Sequence, residues 1–504
     1  MSDTAWDAIV VGGGHNGLAA AAVLAKGGLH TLVLEARDAV GGLCGGEEFH
    51  PGFRHVGIHH DTDTVRPWVV EALQLGKHGV VLRDRPPLFL PSAEGELPQT
   101  GILVHDDPEL ARAELGAVGD VEGWKRLRAL VTELRPLLAP LLDAPAPRIG
   151  RDAPLWPLAK QAIHLRRTGG ARLLDVARLA TTSAEDWLRE YLSDPKLVAG
   201  VSLGALIGAW MGPRSPQSAG LVLLRELVGQ QEVVGGPAKL VAALAAAATE
   251  RGVVVRTAAA VDGIRVERGA VKGVTLAGGE RLDAPIVISA LDPRRTLLGL
   301  VPAAELPPAV EDEVRAVRVR TTSAKLHLAL SGPPTFSCRA GSFERVRIVT
   351  DPVQVERAFD DAKHGRIPSK PALDVRIVAE PATVASVHVF GVPSSPKGGW
   401  TPEARAELLE RTLAALASVV PGIRDTIVGS ELLVAADLEE RYGASGGHLM
   451  HGEHALDQLW IGRPGPRLSG HATPIGGLYH ASGGTHPYGG ASAASGVMAA
   501  LAPP

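Results

Sequence analysis

The sequence predicts an α/β fold in which helices cover a mainly parallel sheet at the N-terminal end of the chain. Residues 7–34 read as a strand, a glycine-rich turn, an alanine-rich helix and a second strand, which is the order of a βαβ unit. Aromatic residues make up only 4% of the chain, so Ala, Val and Leu must fill the interior and favour helices packed on a sheet. Because 504 residues exceed what one core accommodates, we expect two connected domains.

Composition excludes several classes of protein. The formal net charge is only −4 and the basic residues are scattered, which argues against a nucleic-acid partner. The two cysteines, Cys44 and Cys338, provide neither a disulfide framework nor a thiolate metal site. Residues 1–6 lack the basic segment of a signal peptide. We therefore expect an intracellular, cytoplasmic protein.

Two apolar stretches bear on membrane contact. The segment from Leu197 to Gly212 is shorter than the roughly 20 residues that a membrane-spanning helix needs, so we expect a buried helix or a tunnel wall. The segment from Leu130 to Leu165 mixes leucines, prolines and basic residues. We favour a helical cap over a substrate cavity for this segment, while peripheral contact with a lipid surface stays open.

The first strand leads directly into a glycine motif. Asp7 to Val11 suits a buried parallel strand, and the glycines of the next turn, Gly12, Gly14 and Gly17, have the spacing GxGxxG. Such a turn allows the backbone to approach a pyrophosphate and allows close packing of helix on strand. The helix that follows, Leu18 to Lys26, directs its N-terminus at the phosphates.

An acidic residue after the second strand completes a Rossmann-type dinucleotide-binding unit. Glu35 follows the strand from Thr31 to Leu34 and lies 35 − 12 = 23 positions after Gly12, where a carboxylate accepts hydrogen bonds from ribose hydroxyls. This carboxylate would repel the extra phosphate of NADP. The next residues, Ala36 and Arg37, lead to a second glycine pair, Gly41 and Gly42, where the chain passes close to the ligand. This arrangement indicates FAD.

These segments, Gly12 to Leu18 and Leu34 to Gly42, resemble the phytoene-desaturase-like branch of FAD-dependent oxidoreductases. The resemblance runs along almost the whole chain and is closest to the subgroup called pyridine nucleotide-disulfide oxidoreductase domain-containing protein 2. Carotenoid desaturases, carotenoid isomerases and retinol saturase are more distant relatives. The other segments that carry the resemblance are Pro51 to Phe53, Pro213 to Ala219, Val234 to Leu240, Asp437 to Glu439, Gly446 to His451, Leu456 to Leu459 and Gly483 to Gly490.

The resemblance implies that the FAD-binding domain is assembled from three chain segments, residues 1–75, 235–293 and 438–504. Residues 76–234 and 294–437 are then a mixed sheet and helical substrate-binding domain. The local sequence agrees, because a helix from Ala238 to Arg251 precedes strand patterns that read as a β-meander and a return to the core sheet, and Val261 is expected to contact the adenine side. Lys325 to Leu330 and Val387 to Phe390 alternate as strands with one buried face and are expected to form the floor of the substrate cavity.

The C-terminal turn is the predicted flavin-contacting segment. The residues expected to bring backbone against the cofactor are Gly483, Gly484, Pro487, Gly489, Gly490 and Ala491, with a helix from Ala491 to Leu501. His486 and Tyr488 lie inside this turn and are candidates for proton transfer or substrate orientation. The resemblance places His451 near the cofactor, and we include it among the catalytic candidates. His59 and His60 are expected to be packing or surface residues more often than site residues.

We expect no metal site, because the spacing of His448, His451 and His454 matches no established zinc motif. The leading functional prediction is a desaturase or dehydrogenase in which hydride passes from a largely apolar small molecule to flavin N5, with oxygen, a quinone or another molecule as electron acceptor. One alternative is an oxidase of an amine or of an oxygenated, polycyclic metabolite. An alternative of another class is a non-redox isomerase or a regulatory flavin-binding protein.

Overall fold

The computed structural model describes residues 6–148, 155–170, 172–487 and 489–503. Its first sheet has five strands, all parallel, which come from three separate stretches of the chain. Across the sheet, the strands are Leu478–His480, Ile286–Ser289, Ala8–Val11, Thr31–Leu34 and Val254–Arg256. The predicted α/β class with a Rossmann-type sheet is confirmed, whereas the predicted domain borders stay a prediction.

The two faces of this parallel sheet are covered differently. Helices His15–Lys26, Gly236–Glu250 and Ala494–Ala500 pack side by side on one face, where small side chains allow close contact. The other face packs against an antiparallel meander, as expected from the sequence. Its strands are Val261–Glu267, Ala270–Leu276 and Arg281–Asp283.

Two helix boundaries differ from the expected ones. The first helix begins at His15 rather than Leu18, because Gly14 is already the extended residue that precedes the helix. The last helix begins at Ala494 rather than Ala491, because Ala493 has a φ of 57° and interrupts regular helical geometry.

The second sheet has seven strands and is mainly antiparallel. In order these are Ile427–Leu433, Ser323–Leu330, Thr383–Phe390, Ala372–Val378, Arg345–Ile348, Leu88–Leu90 and Ile102–Val104. Only Arg345–Ile348 and Leu88–Leu90 pair in parallel among them. The expectation that the two central strands bury one face is wrong, because every residue of Ser323–Leu330 and Thr383–Phe390 is buried.

The two faces of the second sheet therefore lie in different buried environments. Leu326, Leu328, Val387 and Val389 belong to an apolar core that also includes residues of the helix Pro402–Ala417. The alternate positions include the polar residues Lys325, His327, Ser386 and His388, which lie on the opposite face of the sheet. A period of two along a strand makes this separation possible.

Helices form most of the remaining structure. The other described α-helices are Pro67–Ala72, Pro108–Gly116, Val121–Leu142, Leu155–Gly169, Arg172–Leu179, Ala184–Arg189, Pro195–Leu206, Ser218–Val228, Pro308–Ala316, Pro352–Lys363, Ile423–Thr426 and Ala435–Tyr442. A short hairpin pairs Glu48–His50 with Phe53–Arg54, and a separate antiparallel pair, distant in sequence, joins Leu82–Asp84 to Gln231–Val233. Pro195–Leu206 is buried along its length. Within the described ranges, the helices are too short or too polar to cross a membrane.

Candidate active site

A cavity of about 290 Å³ lies at the carboxyl ends of the parallel strands. Its walls include Val11 and Leu34, which end two neighbouring strands, and Ala290, which follows a third. Open α/β sheets bind ligands at this edge, because the loops there leave the sheet in different directions. The position of the cavity therefore agrees with the dinucleotide motif.

The three motif glycines have different structural tasks. Gly12 has a φ of 98°, which an L side chain rarely adopts. A Cβ on Gly17 would lie 1.9 Å from the Gly12 carbonyl oxygen, so Gly17 permits the close packing of helix on turn. A Cβ on Gly14 would meet only the Gly41 oxygen, at 4.0 Å, and Gly14 lines the cavity. Gly12 and Gly17 thus shape the turn, whereas Gly14 keeps space open for a ligand.

Glu35 is held in a fixed orientation by two backbone amides. Its Oε2 accepts a hydrogen bond from the Gly13 N–H at 2.7 Å, and its Oε1 accepts one from the Arg37 N–H at 3.0 Å. The residue is buried and lines the cavity together with Ala36 and Arg37. The carboxylate therefore has lone pairs available toward the ligand, as ribose recognition requires.

The second glycine pair closes the same part of the cavity. The Gly41 N–H donates to the Gly13 oxygen at 2.9 Å, which ties this loop to the first turn. Gly41 has a φ of 127°, and a Cβ there would lie 2.6 Å from Gly45 Cα. Gly42 and Val261 line the cavity.

One wall contains a contact that the sequence did not predict. The guanidinium of Arg37 lies 4.7 Å from the centre of the Tyr442 ring and forms an ion pair with Glu47 at 2.8 Å. The Tyr442 hydroxyl donates to the same Glu47 carboxylate at 3.0 Å. Burial raises the pKa of Tyr442. Tyr442, Arg441 and Arg295 all line the cavity.

The C-terminal turn reaches the opposite end of the cavity. Gly483 and Gly490 line it, and Gly490 has a φ of 90°. Gly484 and Gly489 instead pack against a neighbouring loop, since a Cβ on Gly484 would lie 2.6 Å from the His451 oxygen and one on Gly489 would lie 2.8 Å from Met450 Cβ. Pro487 and Ala491 are buried but do not line the cavity.

The three candidate catalytic residues differ in their position relative to the cavity. His451 lines the cavity, its Nδ1 has no hydrogen-bond partner among the described residues, and burial lowers its pKa. His486 does not line the cavity, and its Nε2 donates to the Ala144 oxygen at 2.9 Å. Burial lowers the pKa of His486 to about 3. Tyr488 lies outside the described residues.

Arg463 joins the two loops at this end of the cavity. Its buried guanidinium donates to the oxygen of Gly483 at 2.6 Å and to the oxygen of Met450 at 2.6 Å. It also donates to the oxygens of Glu453 and Gln458. One cation therefore fixes the C-terminal turn relative to the loop that carries His451.

A second polar region lies on the inner face of the seven-stranded sheet, which we call the polar face. Cross-strand pairing places Lys325 opposite His388 and His388 opposite Asp374. A parallel row places His327 opposite Ser386 and Ser386 opposite Arg376. The described members of the polar face are Lys325, His327, Arg345, Arg347, Asp374, Arg376, Ser386, His388 and Glu431.

Lys325 is a buried amine on this face. Its Nζ lies 3.1 Å from His60 Nδ1 and 3.4 Å from His388 Nε2. His60 Nδ1 is also 3.1 Å from the Ser386 oxygen, and because a carbonyl only accepts, this nitrogen carries a proton. Burial holds the pKa of Lys325 well below its usual value, which favours the neutral amine beside this N–H.

A small chamber lies between the polar face and the cofactor cavity. It has a volume of about 20 Å³ and shares His59 and Gly490 with that cavity. The remaining walls include His60, Asp374 and His388. His59 and His60, for which packing or surface positions were expected, are both buried and both line the chamber.

Within the described part of the chain, one group of side chains has ligand atoms close enough together for a metal ion. His55, His327 and Glu431 offer atoms within 4.8 Å of one another. The two rings are stacked, with centroids 4.2 Å apart and planes at 10°. Stacked rings direct their in-plane lone pairs side by side rather than toward one ion, so this geometry does not suit coordination. The group does not include His448, His451 or His454.

Comparison with known proteins agrees with this arrangement. The family model described as flavin containing amine oxidoreductase matches residues 17–432. The chain belongs to the flavin containing amine oxidoreductase family. The rat pyridine nucleotide-disulfide oxidoreductase domain-containing protein 2 (Rattus norvegicus) is 30% identical, over 98% of this chain and 92% of its own length. The resemblance to FAD-dependent oxidoreductases and to this subgroup is therefore confirmed.

Two further relatives extend the comparison. A limonene dehydrogenase polypeptide of Castellaniella defragrans is 25% identical over 96% of this chain and 91% of its own length. A structure of putrescine oxidase bound to putrescine has a TM-score of 0.59 at 18% identity, with 98% of this chain and 97% of that chain covered. At this identity the structural likeness supports the fold alone.

The cofactor of this oxidoreductase is FAD. The cavity residues fit that group, since Gly14 leaves open space beside the glycine turn and Glu35 presents a fixed carboxylate. The predicted residues that line the cavity are Gly12, Gly14, Glu35, Ala36, Arg37, Gly42, Val261, His451, Gly483 and Gly490. Gly17 and Gly41 support the adjoining turns without lining the cavity.

Proposed function

We propose that this FAD-dependent oxidoreductase oxidises a carbon that bears an amine or a hydroxyl group on a small molecule. The supporting observation is the chamber beside Gly490, whose walls carry His60, Asp374 and His388. Its volume of about 20 Å³ is close to the space of one or two water molecules, which favours a slender polar group over a bulky apolar one.

The redox balance of this reaction leaves one proton for the protein to handle. Bound FAD supplies the acceptor for a hydride, which is two electrons and one proton from the substrate carbon. The substrate nitrogen or oxygen must release a further proton as the C=N or C=O bond forms. An imine product is then hydrolysed by water to a carbonyl compound and an amine, and an external acceptor removes the electrons.

Lys325 and His60 are the residues we assign to that proton. A neutral amine can accept a proton, and Lys325 contacts His60, which lines the chamber. His451 lines the cofactor cavity and is proposed to orient the cofactor or the substrate. His486 remains a weaker proposal, because its ring contacts the Ala144 oxygen instead of the cavity.

Desaturation of a largely apolar molecule is the second candidate. It is supported by the likeness to the limonene dehydrogenase polypeptide over 96% of this chain. The polar walls of the chamber do not favour it, because an apolar group there would displace water from charged side chains without replacing their hydrogen bonds. Oxygen, a quinone and other molecules stay open as electron acceptors, and cytoplasmic location with peripheral membrane contact stays a prediction from the sequence.

Anaerobic mixing of the FAD-loaded protein with defined probes tests the proposal. We expect hexylamine or 1-hexanol derivatives to bleach the flavin absorbance, and we expect colour to return when an acceptor is added. Bleaching by limonene but by no amine or alcohol would favour the second candidate. Failure of amines, alcohols and alkenes alike to bleach the flavin would contradict both and would favour a non-redox or regulatory role.

A further inference from the structure

One helix on the protein surface presents apolar and basic side chains together. The helix Leu155–Gly169 has 15 residues and packs against the helix Val121–Leu142. Its Leu165 packs against the apolar core, and Nε2 of His164 lies 3.2 Å from the Leu137 oxygen. These contacts define the side of the helix that faces the protein.

The other side of this helix is exposed. Trp156 is 69% exposed and Ile163 is 43% exposed. Lys160 and Arg167 are exposed as well, and the four residues have the spacing i, i+4, i+7 and i+11. This spacing places them along one side of a helix. We call these four side chains the docking face.

The exposed apolar surface continues beyond the end of this helix. A Cβ on Gly169 would lie 2.6 Å from Leu173 Cγ, so the helix Arg172–Leu179 begins against the end of the previous one. Its Leu174 is 75% exposed. A single exposed apolar residue is ordinary, but here large apolar side chains are exposed on two consecutive helices. Transfer of these side chains from water to an apolar phase would be favourable.

The positive charge of the helix Leu155–Gly169 is not neutralised within the protein. The helix contains Lys160, Arg166 and Arg167 but no acidic residue, in a chain whose net charge is −4. None of the three pairs with a carboxylate among the described residues. The next helix differs, because Arg172 forms an ion pair with Glu133. Unpaired cations and an exposed tryptophan therefore occur on the same helix.

The described cavities give this helix no role. The sequence favours a helical cap over a substrate cavity for the segment from Leu130 to Leu165, yet its described residues line neither the cofactor cavity nor the chamber. With 15 residues the helix is also shorter than the roughly 20 residues that cross a membrane. Its exposed face is suited to lying on a surface.

We propose that the docking face binds the surface of a membrane that contains anionic lipids. Trp156 and Ile163 enter the boundary between headgroups and acyl chains, while Lys160 and Arg167 extend to the lipid phosphates. This inference goes beyond the proposed function and does not depend on it. A second copy of the chain is a less suitable occupant, because a two-fold contact through this face would bring the same unpaired cations together.

Co-sedimentation of the FAD-loaded protein with lipid vesicles tests the docking face. The probes are vesicles of phosphatidylcholine alone and vesicles of phosphatidylcholine mixed with phosphatidylglycerol. We expect binding to the mixed vesicles to be at least about tenfold stronger, because each basic residue near an anionic surface contributes about fivefold. Added salt should release the protein from the mixed vesicles, since it screens this attraction.

Two variants separate the apolar and the charged contributions. Trp156→Ala should weaken binding to the mixed vesicles roughly tenfold at every salt concentration, because it removes apolar contact area. Lys160→Gln combined with Arg167→Gln should remove most of the difference between the two kinds of vesicle and most of the salt dependence. All three side chains are exposed, so both variants should keep the melting temperature and the flavin content.

Two exposed residues elsewhere provide matched controls. Leu110 is 64% exposed on the helix Pro108–Gly116, and Leu110→Ala should leave vesicle binding unchanged. Lys272 is exposed on the meander, and Lys272→Gln should likewise have no effect.

Three results would overturn the inference. They are equal binding to the two kinds of vesicle, absence of binding to both, and unchanged binding by Trp156→Ala. Gel filtration distinguishes the remaining occupant. A dimer that Trp156→Ala converts to a monomer, together with absence of vesicle binding, would assign the docking face to a second copy of the chain and contradict the membrane.

Discussion

The parallel sheet and the seven-stranded sheet bring polar groups to the cavity in different ways. At the parallel sheet, glycines and backbone amides define the ligand position, and Glu35 is fixed by the N–H groups of Gly13 and Arg37. At the seven-stranded sheet, alternate side chains from separate strands form the polar face, with Lys325 opposite His388. The first region therefore presents mainly backbone groups and open space to its ligand, whereas the second presents titratable side chains.

This difference has an energetic consequence. Backbone N–H donors do not titrate. FAD binding should therefore depend mainly on open space and on backbone geometry. Lys325, His60 and His388 are buried titratable groups whose pKa values are all lowered, chiefly by burial. Flavin reduction by the substrate should therefore depend on pH and on single side chains much more than FAD binding does.

The largest expected effect is at the main-chain site. Gly14→Val should yield folded protein with almost no flavin, because the position next to Gly14 is open and the new side chain would occupy ligand space. The ratio of flavin to protein absorbance after gel filtration measures this effect. Gly263→Val is the matched control, since a Cβ there meets only the Leu300 oxygen at 3.9 Å within a strand. Equal flavin content in both variants would contradict the assigned site.

Acidification should act mainly through buried histidines. Burial lowers the pKa from 6.5 to about 3 for His15, His60 and His486 and to about 4 for His59 and His471. The unfolded state then binds more protons, so the free energy of unfolding falls as pH decreases below 6.5 and stops falling below about 3. Each such group contributes up to about 1.4 kcal/mol per pH unit in that range.

The melting temperature at pH 7.5 and at pH 5.5 tests this expectation. We expect a substantial decrease at the lower pH, because several groups together approach the whole stability of a typical domain. His486→Asn should reduce the pH dependence by about one proton. A melting temperature that is constant across this range would show that these histidines are accessible to protons in the folded chain.

Lys325→Met should change the rate of flavin reduction without changing FAD binding. The variant should retain FAD but should slow flavin reduction by a substrate of the proposed class on the order of 10²-fold, because the neutral amine is lost. It should also raise the melting temperature at pH 7. A lysine whose pKa is lowered from 10.5 in the folded state costs stability at neutral pH, and this cost disappears as pH rises toward 10.5.

Lys272→Met is the control for that experiment, because Lys272 is exposed on the meander strand Ala270–Leu276. It should change neither the rate nor the pH dependence. An unchanged rate of flavin reduction in Lys325→Met would assign the substrate proton to another group or to water.

The smallest expected effect distinguishes two histidines of the C-terminal region. His451→Gln should slow flavin reduction by roughly tenfold, because His451 lines the cofactor cavity. His486→Gln should keep the rate and lower the melting temperature, because it loses the contact with the Ala144 oxygen. Stopped-flow reduction and thermal unfolding of both variants provide the measurements. The opposite pattern would favour the catalytic role that the sequence predicts for His486.

The site elements that are contiguous in the chain could be predicted from the sequence. Gly12, Gly14 and Glu35 follow one another within a single βαβ unit, so spacing alone locates them. The polar face could not be found in this way. Lys325, Asp374 and His388 become neighbours only through strand register, and register depends on long-range pairing.

Proximity in sequence also did not predict the direction in which each side chain points. His486 lies between Gly483 and Gly490, which both line the cavity, yet its ring points to the Ala144 oxygen. Tyr442 belongs to the helix Ala435–Tyr442 and lines the cavity through contact with Arg37, a residue about 400 positions earlier. Local patterns identify a turn or a helix, but they do not specify which partner each side chain meets.

The split origin of the parallel sheet sets a time scale for cofactor capture during protein synthesis. The glycine turn begins at Gly12, whereas the edge strand begins at Leu478 and the cavity wall is completed by Gly483 and Gly490. A ribosome adds roughly 5–20 residues per second, so the turn waits roughly 25 to 90 s for these last partners. Nascent chains that end before residue 478 present the dinucleotide motif without its opposite wall, and free FAD supplied during this interval should help only chains that have passed that point.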